Sequence, residues 1–316
     1  MITDNKVLVT GGTGFLGAHV IKRLIREGVK PYIVDINTPN RQQLFEDVSS
    51  DDFFYYQIDL REPVKVECLI EQINPDVVFH VGAVIDRSRS FAVVDKLLDV
   101  NLKGTTNLLR ALSKTDYKSF VFVSTSEVYG DQQPPFREDM PLKPISPYSA
   151  SKLSAEYFCR VFSEINNKSL CVLRVFNIYG EGQSANMFVP QLIHACLSGK
   201  DFEMTKGEQT RDFVYVGDVV EAIVLAAKSS NKTREIINIG SAKEISIKDV
   251  AGKIVGMMGY GVKLKIGAKA YRKPEIWRMF CDNTKAKRFL GWQAQTSLDE
   301  GLQKTINWEI EKRKGQ

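Results

Sequence analysis

A tyrosine and a lysine lie four residues apart in the segment SPYSASK, at the start of a stretch with helical spacing. Tyr148 and Lys152 therefore share one face of the predicted helix. Ser146 and Pro147 are residue types that are preferred at the cap and in the first turn of a helix. A free tyrosine is a poor base at neutral pH because its pKa is about 10, and a nearby ammonium favours the phenolate. The pair can therefore move a proton. The alternative is an exposed polar pair, which is common at this spacing.

A glycine-rich turn follows the first apolar run. The segment TGGTGFLG places Gly11, Gly14 and Gly17 between a predicted strand at 6–10 and a predicted helix at 15–28. Glycine lets the backbone approach an anion closely, and a helix N-terminus offers free N–H donors and a partial positive charge. The order of strand, glycine turn and helix therefore predicts a site for the pyrophosphate of a dinucleotide.

The second predicted strand ends at Asp35. A carboxylate at this position can accept hydrogen bonds from both hydroxyls of an adenosine ribose, and it would repel the 2′-phosphate of NADP. No arginine follows directly to neutralise it, so the sequence favours NAD. The alternative is an aspartate that only caps the next turn. Asp59 and Leu60 follow a third apolar run, where they are expected to meet the adenine.

The elements that must position these residues alternate regularly in the first half of the chain. Buried strands are predicted at 6–10, 31–35, 76–81, 119–124 and 170–175, and helices at 15–28, 91–114 and 148–166. This alternation predicts an α/β fold, a Rossmann-type doubly wound parallel sheet with helices on both faces. The carboxyl ends of the strands then form one edge, where Thr125 is delivered and where ligands bind.

The alternation becomes less regular after about Asn177. Helices are predicted at 188–199, 217–228, 246–258 and 297–312, and a strand at 235–240. We interpret residues 1–176 as an NAD-binding domain and residues 177–316 mainly as a smaller C-terminal substrate-binding lobe, from which the chain can cross back into the first domain.

Composition excludes several classes of protein. Of the 316 residues, 43% are hydrophobic and 26% charged, and the formal charge of +5 is too small and dispersed to indicate a nucleic-acid partner. The five scattered cysteines lack metal-ligand spacing, which predicts no metal site and favours reduced thiols in the cytoplasm. No apolar run approaches the length of a membrane span, so we expect neither export nor membrane insertion.

Several further motifs carry a resemblance to a known family. Besides the glycine turn, Asp35 and the Tyr148–Lys152 pair, they are HVGA at 80–83, NLKGT at 101–105, STSEVYG at 124–130, RVFNIYG at 174–180, RDFVYVGDVV at 211–220 and YRKPE at 271–275. The chain resembles the extended short-chain dehydrogenases/reductases of the NAD-dependent epimerase/dehydratase family, whose members modify nucleotide sugars.

This resemblance implies roles for individual residues. The catalytic groups would be Thr125, Glu127, Tyr148 and Lys152. The residues near the dinucleotide would be Gly11, Gly14, Phe15, Leu16, Gly17, Asp35, Asp59, Leu60, Val81, Ala83 and Asn101, together with Tyr148 and Lys152. The substrate would meet Ser126, Asn177, Arg211, Arg272 and Glu275, with the two arginines at its diphosphate and Glu275 at its nucleotide ribose. The alternative for these last three is a surface charge or an ion pair. The helices at 91–114 and 148–166 resemble those that pair in dimeric relatives, so a homodimer is expected.

The expected reaction is a nucleotide-sugar 4-epimerisation. Ser126 and Glu127 follow the threonine where dTDP-glucose dehydratases have Asp and then Glu, so dehydration loses its usual acid. We therefore predict an NAD-dependent epimerase in which Tyr148 moves the C4 hydroxyl proton and a 4-keto sugar turns over in the pocket. The alternatives are a decarboxylase of a nucleotide-linked uronic acid, a reductase of a 4-keto-6-deoxy sugar nucleotide, and a non-catalytic dinucleotide sensor. Two departures from the family pattern, in HVGAVIDRS and at Glu181, lie where the sugar is expected.

Overall fold

A computed structural model describes residue 2 and residues 4–39, 45–229, 234–259 and 261–314. The strands are β1 (Val7–Thr10), β2 (Tyr32–Asp35), β3 (Phe54–Gln57), β4 (Val77–His80), β5 (Ser119–Thr125), β6 (Leu170–Val175), β7 (Asn177–Tyr179), β8 (Phe202–Met204), β9 (Thr210–Arg211), β10 (Phe213–Tyr215), β11 (Arg234–Ile239), β12 (Ile245–Ser246) and β13 (Leu264–Ile266). The helices are α1 (Phe15–Arg26), α2 (Pro63–Ile73), α3 (Val94–Leu97), α4 (Gly104–Leu112), α5 (Pro147–Asn166), α6 (Phe188–Leu197), α7 (Val216–Lys228), α8 (Ile247–Met258), α9 (Thr284–Leu290) and α10 (Leu298–Lys314).

Seven strands form the large sheet, in the order β11–β6–β5–β4–β1–β2–β3. All neighbouring pairs are parallel, and Val9 of β1 is in register with Ile33 of β2 and Phe79 of β4. The strand order reverses between β1 and β4, so the crevice outside their carboxyl ends is the expected ligand position. The predicted Rossmann-type doubly wound α/β sheet is confirmed.

Helices cover both faces of this sheet. Val7 and Val9 of β1 pack with residues of α1 and α7, whereas Leu8 packs with residues of α2, α4 and α5. Because neighbouring side chains of a strand point to opposite faces, a continuous apolar run supplies both layers at once. The mostly apolar strands seen in the sequence therefore supply the side chains that pack against the helices on both faces of the sheet.

Residues beyond 177 contribute to two cores. Helix α7 packs in the core of the large sheet, and β11 is an edge strand of that sheet beside β6. Helices α6, α8 and α10 instead bury Leu192, Ile254 and Leu302 in a separate core, next to the parallel pair of β8 and β13. Arg211 and Arg272, from the same half of the chain, line a cavity together with Thr125 at the end of β5.

One predicted helix has a different local form. The stretch predicted at 91–114 contains a 3₁₀ turn at Phe91–Val93, α3, a π-helical turn at Leu98–Lys103 and then α4. Such π turns are frequent at functional sites and leave no trace in the apolar spacing. The turn carries Asn101, which is buried against the active-site edge. Among the described residues, no helix has the length and apolarity needed to cross a bilayer.

Candidate active site

The start of α5 places a tyrosine against the end of β5. Ser146 Oγ accepts a hydrogen bond from the N–H of Ser149 at 3.0 Å, and Ser149 Oγ accepts one from the N–H of Ser146 at 3.1 Å. This capping box and Pro147 fix where the helix begins. Tyr148 is thereby buried next to Thr125, whose side chain lowers the pKa of the phenol. The capping residues thus set the position of the phenol.

Lys152 lies one turn further along α5 and is almost fully buried, at 2% exposure. Its Nζ is 4.2 Å from the centroid of the Phe122 ring and donates no hydrogen bond to any residue that the structure describes. Burial lowers the pKa of Lys152 to about 8, although the charges of Cys159 and Glu156 act in the opposite direction. A buried ammonium without an acceptor fits a polar ligand atom brought to it from outside.

The electrostatic surroundings of Tyr148 differ from the simple expectation. Burial raises its pKa to about 12, while the charge of Arg87 and the hydrogen bond with Thr125 lower it and the charge of Glu127 raises it. Arg87, rather than Lys152, is therefore the cation that acts on the phenol, because Lys152 lies over Phe122. A bound positive ring would add the further lowering that proton transfer near neutral pH requires.

The glycine turn has no space for a side chain at Gly11 or Gly17. A Cβ on Gly11, whose φ is +69°, would lie 2.4 Å from Gly82 Cα, and a Cβ on Gly17 would lie 2.1 Å from Gly11 O. Helix α1 begins at Phe15 after Gly14, so no side chain caps it and its first N–H groups can meet an anion. Leu16 belongs to the same first turn and is buried. This geometry fits the pyrophosphate of a dinucleotide.

Asp35 stands at the end of β2 beside this turn. Its Oδ2 accepts a hydrogen bond from the N–H of Thr13 at 3.1 Å, and its Oδ1 accepts one from the N–H of Asn37 at 3.1 Å. The carboxylate therefore caps the following turn and also lies against the glycine turn. Each oxygen has a further lone pair, so both ribose hydroxyls of a dinucleotide can still be accepted.

Other residues predicted near the dinucleotide have partners within the chain. Asp59 accepts hydrogen bonds from Arg61, including one of 2.6 Å to its Oδ2. Asn101 uses its Oδ1 for the N–H of Val84 at 2.8 Å and its Nδ2 for Val84 O and Ser151 Oγ, both at 3.0 Å. Asn101 thus positions the segment that follows β4. Leu60, Val81 and Ala83 are partly buried along the same edge.

Four of the five residues predicted for the substrate, all but Glu275, line one small polar cavity. Its walls include Thr125, Ser126, Glu127, Asn177, Arg211 and Arg272. Arg211 donates to Glu275 Oε1 at 2.8 Å and to Ile276 O at 2.8 Å. Arg272 Nε lies 3.6 Å from Glu275 Oε2. Glu275 thus forms ion pairs, which was the alternative to a role in substrate binding. Its contact with a nucleotide ribose stays a prediction.

Comparison with known proteins gives a consistent result. Residues 8–305 match the family model described as GDP-mannose 4,6 dehydratase. A putative UDP-glucose 4-epimerase of Methanocaldococcus jannaschii is 32% identical over 96% of this chain and 97% of that protein. A UDP-N-acetyl-alpha-D-glucosaminuronate decarboxylase of Bacillus cytotoxicus is 32% identical over 97% of this chain and 98% of its own length. The chain belongs to the NAD-dependent epimerase/dehydratase family of extended short-chain dehydrogenases/reductases.

A solved member of this family has the same fold. The crystal structure of UDP-glucuronic acid 4-epimerase from Bacillus cereus, in complex with UDP-glucuronic acid and NAD, superimposes with a TM-score of 0.88 at 28% identity, over 97% of this chain and 99% of that chain. The predicted membership of the epimerase/dehydratase family is confirmed.

Two residues that line the cavity of this chain were not predicted from the sequence. Arg87 and Arg89 follow β4, in the segment HVGAVIDRSRS that departs from the family pattern. Arg89 Nη1 lies 3.4 Å from Glu127 Oε2, and Arg87 Nε lies 3.6 Å from Glu127 Oε1. Their position just past the carboxyl end of a central strand was the available signal, because charged residues there face the ligand crevice.

A buried ion pair supports the catalytic edge from behind. Arg174 Nη2 donates to Glu156 Oε1 at 2.6 Å, and both side chains are only 1% exposed. Ser124 Oγ donates to Glu156 Oε2 at 3.0 Å, which ties the end of β5 to α5. The pair therefore holds the two elements that carry Thr125 and Lys152 in this epimerase/dehydratase fold.

Proposed function

We propose that the protein is an NAD-dependent nucleoside-diphosphate-sugar 4-epimerase. The observation that carries the proposal is the buried phenol of Tyr148 beside Thr125, a residue that lines an arginine-rich cavity. The relatives named above as UDP-sugar 4-epimerases support the same reaction.

The residues of the proposed cofactor site fit NAD. Gly11, Gly14 and Gly17 would hold its pyrophosphate at the start of α1, with Phe15 and Leu16 in that first turn. Asp35 would accept hydrogen bonds from the adenosine ribose, and the ammonium of Lys152 would donate to the nicotinamide ribose, since it has no acceptor among the described residues. Bound NAD would supply the acceptor, and afterwards the donor, of hydride at sugar C4.

The side chains would then perform the proton transfer. Tyr148, as phenolate, would take the proton of the C4 hydroxyl, and Thr125 would hold the same sugar oxygen. The 4-keto sugar would turn its opposite face towards the cofactor, and Tyr148 would return the proton to the new C4 hydroxyl. No net oxidation follows, because the proton and the hydride both return to the sugar. Arg211 and Arg272 would hold the diphosphate, for which a planar guanidinium fork is suited.

A decarboxylase of a nucleotide-linked uronic acid is the second candidate. Glu127 is buried and faces the cavity directly after Thr125 and Ser126, where an additional acid–base group is available for a reaction at C5 or C6. The uronate decarboxylase among the relatives has a comparable overall similarity. A 4-keto sugar is an intermediate of both reactions, so the products must decide between them.

The test is turnover without added reduced cofactor. Purified protein is incubated with UDP-, GDP-, dTDP- and CDP-sugars, and the products are analysed by NMR. We expect a C4 epimer from at least one nucleotide sugar, and no turnover by a Tyr148→Phe variant that still binds NAD. Release of carbon dioxide would favour the decarboxylase. Turnover only with NAD(P)H would favour a reductase, and full biological output from Tyr148→Phe would favour a dinucleotide sensor.

We propose in addition that the protein works as a homodimer in the cytoplasm. Apolar side chains are exposed along one face of α5, among them Phe158, Val161 and Ile165, the last at 77% exposure. A contiguous apolar helix face of this kind suits a twofold contact with a second copy. All five cysteines are free, and four of them are buried, which suits a reducing compartment.

A further inference from the structure

The arginines that follow β4 are less closely paired than the two buried arginines Arg174 and Arg211. Arg211 and Arg174 approach their carboxylates to 2.8 Å and 2.6 Å. Arg87 and Arg89 approach Glu127 only to 3.6 Å and 3.4 Å, whereas a charge-assisted hydrogen bond measures about 2.7–2.9 Å. Glu127 therefore neutralises only one of these two charges.

One donor makes no hydrogen bond within the described part of the chain, because its nearest carboxylate oxygen, Glu127 Oε1, lies 3.6 Å away. Arg87 Nε is buried and donates no hydrogen bond to any described residue. The segment that carries it is held in place, because Arg272 donates to Arg87 O at 3.2 Å and Arg89 Nε donates to Pro274 O at 3.2 Å. A fixed, buried guanidinium donor without a hydrogen bond is costly unless a ligand supplies its acceptor.

The position of these arginines indicates which part of the sugar they can contact. The C4 hydroxyl must reach Tyr148, and C6 is attached to C5, the direct neighbour of C4. The diphosphate is attached to C1, across the ring. Arg87 acts electrostatically on Tyr148 and contacts Glu127, so it lies on the C4 side of the cavity. Arg211 and Arg272 are left for the diphosphate.

We propose that Arg87 and Arg89 bind a carboxylate at C6 of the sugar, so that the substrate is a nucleotide-linked hexuronic acid. Two guanidinium groups and one carboxylate, Glu127, leave a net charge of +1, which a substrate carboxylate neutralises and a hydroxymethyl group does not. A carboxylate also matches the planar fork of arginine and would accept from the unused Nε of Arg87. This inference rests on the proposed function and narrows its substrate.

The experiment compares UDP-glucuronate with UDP-glucose, two probes that differ only at C6. Their binding to the NAD-loaded Tyr148→Phe variant is measured by calorimetry, where no turnover intervenes. We expect the uronate to bind on the order of 10- to 100-fold more tightly, the range given by a hydrogen bond to a charged group. Arg87→Met should abolish this preference, whereas Arg137→Met, at an exposed arginine paired with Asp139, should keep it.

A second variant should have the opposite effect on binding of the uronate. Glu127→Gln removes the competing carboxylate, so it should strengthen binding of the uronate relative to UDP-glucose. Equal binding of the two probes, or a preference that survives Arg87→Met, would overturn the inference and leave the proposed function standing. Binding of neither probe, together with no turnover of any nucleotide sugar, would overturn the proposed function and this inference with it.

Discussion

Removing one partner of the buried ion pair between Glu156 and Arg174 should strongly destabilise the fold. Both side chains are 1% exposed, and two hydrogen bonds of 2.6 Å and 3.3 Å join them. Burial opposes the charge of Arg174, but these bonds outweigh it and raise the pKa of the guanidinium. Glu156→Gln would leave Arg174 as a buried charge without a counter-charge, which costs about 3–5 kcal/mol.

The same helix supplies a matched control for this prediction. Glu164 of α5 pairs with Arg234 at 3.1 Å, but its side chain is 66% exposed, so Glu164→Gln should cost no more than about 1 kcal/mol. Urea unfolding followed by circular dichroism measures both changes as shifts of the transition midpoint. The double variant Glu156→Gln, Arg174→Met should recover much of the loss, since it removes the unpaired charge. Similar losses for Glu156→Gln and Glu164→Gln would refute this reasoning.

Three further predictions concern the cofactor site and the exposed face of α5. Lys152→Met should raise the free energy of unfolding at pH 7 by about 3 kcal/mol, because the pKa difference between about 8 in the fold and 10.5 when exposed is the cost of burying the charge. Since the unfolded chain binds the extra proton between these two pKa values, the gain should shrink as pH rises from about 8 to 10.5, as urea unfolding at several pH values would show. Gly17→Ala should weaken NAD binding more than about 10-fold in calorimetry, because its Cβ would lie 2.1 Å from Gly11 O. The control Gly252→Ala, in a helix with nothing within 4 Å, should bind NAD normally and stabilise by about 0.5–1 kcal/mol. Phe158→Glu, at a side chain 51% exposed, should turn a dimer into a monomer in sedimentation, and an unchanged mass would refute the proposed contact.

Local sequence signals were sufficient for the sheet and the cofactor edge. Strands β1, β4, β5 and β6 are buried along their whole length and mostly apolar because helices cover both faces, so each could be recognised from a few consecutive residues. Ser146 and Pro147 likewise marked the start of α5 within one residue. In such segments the local chemistry and the tertiary fold require the same residue types.

The charges of the cavity could not be predicted in this way. Arg89 contacts Pro274, which lies 185 residues away along the chain, and Glu275 pairs with Arg211 across 64 residues. Contacts between residues so far apart in the chain produce no periodic pattern in the sequence, so these partners can be identified only from the folded structure. The pKa of Tyr148 depends on the same long-range packing, since burial and Arg87 act on it more than its helical neighbour Lys152 does.

The fate of the C4 hydrogen tests the central claim most directly. A nucleotide sugar carrying deuterium at C4 is incubated with the enzyme in ordinary water, and the product is analysed by NMR and mass spectrometry. If hydride returns to C4 and Tyr148 returns the proton to the C4 oxygen, the epimer forms with deuterium retained at C4 and with its mass unchanged. Loss of the deuterium to water during epimerisation, or full turnover by Tyr148→Phe, would contradict the account.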